Sequence, residues 1–259
     1  MRKSIRVFLA LLFSCILAIG LYQIYGVWKE YAAGDALYTD TAARFTQPKV
    51  LTQSSAEEPE AEKEPLTVDF DALLHENPDV VGWIYCEGTE INYPVLQGTD
   101  NDQYLRRMLD GTYNVAGSIF LDARCASDFS GITSIIYGHN MKNESMFGSL
   151  PKYCEQAYYD KHPNIWLFTP EKDYCIEVVS GFVTPADSAI YTFHSSVDAM
   201  RQTLADAAAH SDFISAANLD DAEHMVVLST CAYDYEDARY VLVGILQRCE
   251  RRQTLSAVP

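Results

Sequence analysis

Basic residues are scarce: the 259-residue chain carries 19 Lys and Arg against 36 Asp and Glu, a formal net charge of −17. A nucleic-acid partner needs a basic face, so the composition argues against that class of function. The acidity favours solubility and repulsion from anionic surfaces and says nothing about fold. The chain also lacks any CxxC pair. Its seven cysteines, Cys15, Cys86, Cys125, Cys154, Cys175, Cys231 and Cys249, are odd in number, and their spacings fit neither a zinc site nor a disulfide framework. No metal is therefore expected, and most of the thiols read as small buried hydrophobes. No internal repeat is visible.

What is present begins with an uncharged run from Val7 to Trp28, preceded by Arg2, Lys3 and Arg6 and followed by Lys29, Glu30 and Asp35. At about 1.5 Å rise per residue, these 22 residues span about 30 Å of hydrocarbon. The bias of positive charge holds residues 1–6 in the cytoplasm and sends the rest outside. Tyr22, Tyr25 and Trp28 suit the outer interface. The alternative is a cleaved signal peptide, with Ala32-Ala33-Gly34 as the cleavage candidate, but such peptides normally have an apolar region of roughly 7–15 residues. The reading adopted is an uncleaved transmembrane helix over 7–28. From Asp35 to Pro65 periodicity disappears, and QSSAEEPEAEKEP at 53–65 is polar, acidic and proline-punctuated. Residues 29–65 therefore read as an extracytoplasmic linker.

A folded domain is expected over 66–248, with 249–259 as a C-terminal tail. Residues 69–76 form a short amphipathic helix that stops before Asn77-Pro78. Short β-branched and aromatic runs follow at 81–85, 91–95, 118–121, 134–137, 165–169, 174–184, 225–230 and 240–247, bounded by Gly, Pro, Asn and Asp. Eight such strands predict a mainly β fold that closes, or nearly closes, into a barrel. The clearest interior helix is 196–210, with Val197, Met200, Leu204 and Ala208 on one face.

The chemistry concentrates near the end of the domain. In MVVLSTC, strand alternation puts Val227, Ser229 and Cys231 on one face and Val226, Leu228 and Thr230 on the other. Cys231 ends that strand beside the polar loop AYDYEDA, where a thiol can face a groove. If the next strand, YVLVGIL, returns as a hairpin, Arg239 comes close to Cys231. A permanent cation there stabilises a thiolate, or the oxyanion formed when a thiolate attacks a carbonyl. Arg239 can equally be read as a surface cation beside Asp234, Glu236 and Asp237. Of the six histidines, His139 stands apart, because the 134–137 strand ends at Gly138 and leaves His139 at a strand-to-loop exit. His162 before Pro163 reads as a turn residue and His210 as a helix tail.

These segments resemble those of a known family. VLSTC, with Arg eight positions later in DARYVLVGIL, is similar to the TLxTC…R signature of sortases, and YGHNMKNESMFGSL to the histidine segment of the class B members. NPDVVGWI, GTEINYPVLQGTDNDQYL and GSIFLD extend the likeness over roughly residues 68–246. The resemblance implies an eight-stranded sortase-type barrel with N-terminal helices and a helix in the connection before the penultimate strand, where 196–210 sits. It implies a cysteine transpeptidase with Cys231 as nucleophile, His139 as general acid and base, and Arg239 as oxyanion or substrate stabiliser. Ser229 would line the groove, and Asn101, Leu105 and Tyr191 would contact a sorting peptide. The partners implied are a secreted protein bearing a C-terminal sorting signal and an amine from a peptidoglycan precursor or a pilin; no cofactor is implied. Two positions depart from the pattern: Val227 stands where the signature has Thr, and Ala232 where class B relatives often have an acid.

Overall fold

The computed structural model describes residues 2–49 and 65–249; the acidic stretch expected at 53–65 lies outside them except for Pro65, as does the tail beyond residue 249. The first element, helix α1 (Arg2–Phe45), contains one segment long and apolar enough to cross a membrane. Its side chains from Val7 to Trp28 are almost all exposed, with Phe13, Tyr22 and Trp28 open to the surroundings.

The helix does not stop at residue 28. Residues 29–45, expected to belong to a linker without periodicity, continue α1, and one face of them docks on the domain. Gly34, Tyr38, Thr41 and Phe45 are buried and Tyr31 packs beside them, a spacing of three and four residues that keeps one face inward. The Tyr38 hydroxyl donates to the Gly117 carbonyl at 2.7 Å and meets Ser118 Oγ at 2.9 Å, and Thr41 Oγ1 donates back to the Leu37 carbonyl. The polar atoms on this face are therefore satisfied, and burial of the rings favours docking. Beyond it, β1 (Thr46–Pro48) pairs antiparallel with β2 (Leu66–Val68). Helix α2 (Phe70–Glu76) follows, capped by Asp69, whose carboxylate accepts from the Ala72 N–H, and ended at Asn77.

Eight strands then form a closed barrel, as expected: β3 (Val80–Tyr85), β4 (Asn92–Leu96), β5 (Ile119–Leu121), β6 (Thr133–Tyr137), β7 (Asn164–Phe168), β8 (Asp173–Pro185), β9 (Met225–Cys231) and β10 (Ala238–Cys249). Around the barrel the order is β10-β8-β7-β3-β4-β5-β6-β9, with β9 closing on β10. Two neighbouring pairs run parallel, β4 with β5 and β6 with β9. A parallel pair needs a long crossover, and the crossovers here carry the functional loops. Residues 97–118 join β4 to β5, the short helix α3 (Gln156–Tyr159) precedes β7, and the β8–β9 connection holds helix α4 (Val197–Ala209).

Strand alternation divides the apolar side chains into two layers. Val226 and Leu228 of β9, with Trp83, Ile136 and Leu242, fill the barrel interior. Val227, Val241, Val243 and Ile135 point the other way, into a layer capped by Met200, Leu204 and Ala207 of α4. Val227, the departure from the signature, is fully buried in this outer layer. A hydroxyl there would need a partner, so the valine suits its surroundings and touches no polar group of the site.

If residues 29–45 are part of the fold rather than a tether, Phe45→Ala lowers the unfolding free energy of the domain by about 3 kcal/mol, read from urea transitions. An unchanged midpoint would contradict the docking of this segment.

Candidate active site

Strand β9 lies between two partners whose registers set the site. On one side antiparallel β10 places Arg239 opposite Cys231 and Val241 opposite Ser229. On the other, parallel β6 places Tyr137 beside Ser229, and the Gly138 N–H extends the ladder by donating to the Ser229 carbonyl at 3.1 Å. His139 follows directly after this last ladder bond, in the loop that leaves β6. The Asn140 amide fixes the arrangement, its Nδ2 donating to the Cys231 carbonyl at 2.7 Å. Glycine is needed at 138 because a Cβ there would run into Ile119 and Phe147. The strand can thus exit close to the core and turn directly into the histidine loop. The expected hairpin between the cysteine strand and the arginine strand is present, and the structure brings Cys231, Arg239 and the loop that carries His139 to one end of the barrel.

Cys231 is half-buried. The Arg239 guanidinium is also half-buried, donates to its neighbouring Ala238 carbonyl at 3.0 Å, and forms no ion pair with a carboxylate among the described residues. His139 Nε2 lies 2.6 Å from the Leu105 carbonyl. A carbonyl only accepts, so Nε2 carries the proton and Nδ1 keeps its lone pair when the ring is neutral. Burial lowers the pKa of His139 below the ordinary imidazole value; the Leu105 carbonyl opposes this, and the nearby Arg106 charge adds to it. The site therefore favours a neutral imidazole with an available base.

Other expected contacts fall unevenly around this centre. Tyr191, at the end of a 3-10 turn (Ala189–Tyr191) in the β8–β9 connection, shares a 2.8 Å hydrogen bond with Ser229 Oγ. Burial raises the phenol pKa, the Ser229 bond lowers it, and Arg239 and Cys231 both act on it electrostatically. Tyr191 and Ser229 thus join the cysteine and arginine at one locus. Leu105 reaches the site through its carbonyl on His139, with its side chain partly exposed at 37%. The Leu105 backbone is held by Gly117, which has φ 55° and leaves no room for a Cβ against it.

Asn101 is engaged differently. Its Oδ1 accepts from the Ala123 N–H at 2.8 Å and its Nδ2 donates to Asp122 at 2.9 Å, leaving one N–H for any other partner. Asp122 is the centre of this cluster and is fully buried. It also accepts two bonds from the Arg124 guanidinium, one from the Arg124 N–H and one from the Tyr137 hydroxyl. Burial alone would raise the carboxyl pKa, but Arg124 and Asn101 outweigh it and hold it at about 2. The Arg124 guanidinium in turn stacks over the Phe193 ring at 4.4 Å. One carboxylate therefore ties the β4–β5 loop and strand β6 together and, through Arg124, reaches the β8–β9 connection. Asn140, Asp122, Arg124 and Tyr137 received no role from the sequence, although all but Arg124 lie in the segments GSIFLD and YGHN.

The cysteines are less uniformly buried than expected. Cys86 is buried, Cys125 and Cys175 are half-buried, and Cys15 and Cys154 are exposed. Burial raises the Cys86 pKa and pushes Cys125 up to about 11, which keeps both as thiols.

A strand-end thiol with an arginine opposite it, and a strand-exit histidine loop bonded to its carbonyl, is an arrangement that cysteine acyl-transfer chemistry can use. The chain belongs to the sortase family: residues 84–247 match the Sortase domain model. It is 35% identical over 173 residues to sortase B of Listeria monocytogenes, covering 66% of this chain and 70% of that protein. Among solved structures it resembles the Staphylococcus aureus sortase B–substrate complex, with TM-score 0.65, 31% identity, and coverage of 70% of this chain and 85% of that one. Sortase B from Bacillus anthracis in complex with AAEK1 gives TM-score 0.70 and 30% identity, covering 86% of this chain and 100% of that chain.

The Asp122 cluster makes a pH-dependent prediction. Its folded pKa, about 2, lies below the reference 3.8, so its contribution is present above pH 4 and is lost as pH falls toward 2. Asp122→Asn is expected to be less stable than the parent by about 2 kcal/mol at neutral pH. The gap should close near pH 2 when denaturation curves are compared across pH; a gap constant with pH would contradict the assignment.

Proposed function

We propose that the chain is a membrane-anchored cysteine transpeptidase that cleaves a C-terminal sorting signal and joins the new C-terminus to an amine. The observation carrying this reading is the register that sets Arg239 opposite Cys231 while Asn140, next to His139, bonds the Cys231 carbonyl. Membership of the sortase family supports it, as does the likeness to S. aureus sortase B in its substrate complex.

In the first half-reaction the Cys231 thiol passes its proton to neutral His139, and the thiolate attacks the carbonyl carbon of a Thr–Gly or Thr–Asn-like bond. The developing oxyanion is stabilised by the Arg239 guanidinium and backbone N–H groups. As the C–N bond breaks, protonated His139 gives its proton to the leaving amine, and a thioester on Cys231 remains. In the second half-reaction an amine, from a peptidoglycan precursor or a pilin lysine, attacks the thioester. Neutral His139 takes the amine's proton, the C–S bond breaks, and an amide forms as the thiolate is restored. The lowered pKa of His139 suits this second step, since it keeps the ring available as a base near neutrality. Ser229 and Tyr191 line the groove beside the thiol, and Leu105 borders it from the opposite wall.

The apolar span of α1 supports an anchor with residues 1–6 in the cytoplasm and the domain outside, because Arg2, Lys3 and Arg6 precede it. The parent should cleave a member of a sorting-peptide panel and, with an added amine, release the ligated amide. Cys231→Ala should abolish both products, and His139→Ala or Arg239→Ala should reduce kcat/KM by about 10²–10³-fold. Cleavage without ligation at saturating amine would make the protein a peptidase, and a Cys231→Ala variant as fast as the parent would remove the mechanism.

A further inference from the structure

The β4–β5 loop packs against α1 just above the apolar span. Asn114 Nδ2 donates to the Glu30 carbonyl at 2.8 Å, and Gly34 meets Asn114 and Ala116 so closely that a Cβ would touch both. Glu30 is two residues beyond Trp28 and Gly34 six beyond it, which places this contact about 3–9 Å along the helix axis from the end of the apolar run. The headgroup layer on each side of a bilayer is about 5–8 Å thick, half the difference between the full thickness and the hydrocarbon core. The loop is therefore held at headgroup level by its own hydrogen bond to the helix.

What the loop exposes there suits that environment. Tyr113, adjacent to Asn114, is 65% exposed. Arg106 Nη1 reaches its hydroxyl at 3.5 Å, and Arg107 forms a backbone bridge with Tyr113. Both arginines are exposed, and neither is ion-paired among the described residues. Acids on these two segments include Glu30 and Asp35 on α1, the latter accepting from Asn143 Nδ2, and Asp110, which accepts from the Thr112 hydroxyl and N–H. Tyrosine places an apolar ring and a polar tip at an interface, and arginine extends its guanidinium to lipid phosphate.

We infer that Tyr113, Arg106 and Arg107 form a second membrane contact, seated in the headgroups of the bilayer that α1 crosses. The inference rests on the reading of α1 as an anchor and adds to it a fixed orientation of the domain. The loop that meets the lipid also supplies the Leu105 carbonyl on His139, and Arg106 lowers the affinity of that histidine for its proton. The candidate active site is then held beside the membrane surface rather than swinging on a tether.

The full chain is tested in bilayers of phosphatidylcholine and phosphatidylglycerol containing a lipid with a nitroxide on its headgroup, which quenches nearby tryptophan. Of the three native tryptophans, Trp28 should be quenched while buried Trp83 and Trp166 are not. Tyr113→Trp adds an indole at an exposed position, and the quenched fraction should rise from about one third to about one half. A fall to about one quarter, with Trp28 still quenched, would overturn the second contact and leave the anchor standing. Absence of Trp28 quenching would overturn both.

Discussion

The site depends on how β9 is paired. A strand with an antiparallel partner on one side and a parallel partner on the other has both registers specified, because a slip of one residue would turn its two apolar faces inside out. Val226 and Leu228 belong to the barrel interior, and Val227 belongs to the layer under α4. With both faces buried, the position of Cys231 at the strand end is fixed to within a residue. Arg239 follows from the antiparallel ladder, and the parallel one ends at Tyr137, two residues before His139. The thiol, the cation and the histidine loop are brought to one end of the barrel by backbone pairing and core packing, with Asn140 tying the loop to the Cys231 carbonyl.

The loops that shape the groove are held by polar groups rather than by apolar burial. Asp122 gathers Asn101, Arg124 and Tyr137, and Asn140 ties the histidine loop to the cysteine strand. A buried carboxylate with this many donors is stable only when all are present, so the cluster commits the β4–β5 loop to one conformation. The second half of α1 braces the same loop from outside through Tyr38, Asn114 and Gly34. Helix α1 and the candidate site are therefore joined through one loop.

Much of the fold could be read from the amino acids because barrel strands carry local signals. The eight β-branched runs became eight strands with ends shifted by a residue or two, and the face of α4 was marked by Met200 and Leu204. The continuation of α1 was harder to see, since its inward face runs through Gly34 and Thr41 between Tyr31, Tyr38 and Phe45, so small and polar residues break the apolar stripe. At the site, the Cys231–Arg239 pairing was legible because a short loop joins adjacent strands. The roles of Asp122 and Asn140 were not: each depends on bonds between segments distant in sequence, to Tyr137 and Asn101 for Asp122 and to Cys231 for Asn140. The bonds that hold Asn101 to Asp122 and Ala123 were hidden for the same reason, since residue type alone does not reveal an amide's partners.

The central claim is that Cys231 carries the acyl group between donor and acceptor. Its most direct measurement is intact-protein and peptide mass spectrometry of the parent quenched in acid during turnover of a cleavable sorting peptide. One adduct with the mass of the acyl fragment, located on Cys231 and released by hydroxylamine, is the expected result. Steady turnover with no adduct at any substrate concentration, or an adduct on another residue with Cys231 unmodified, would contradict it.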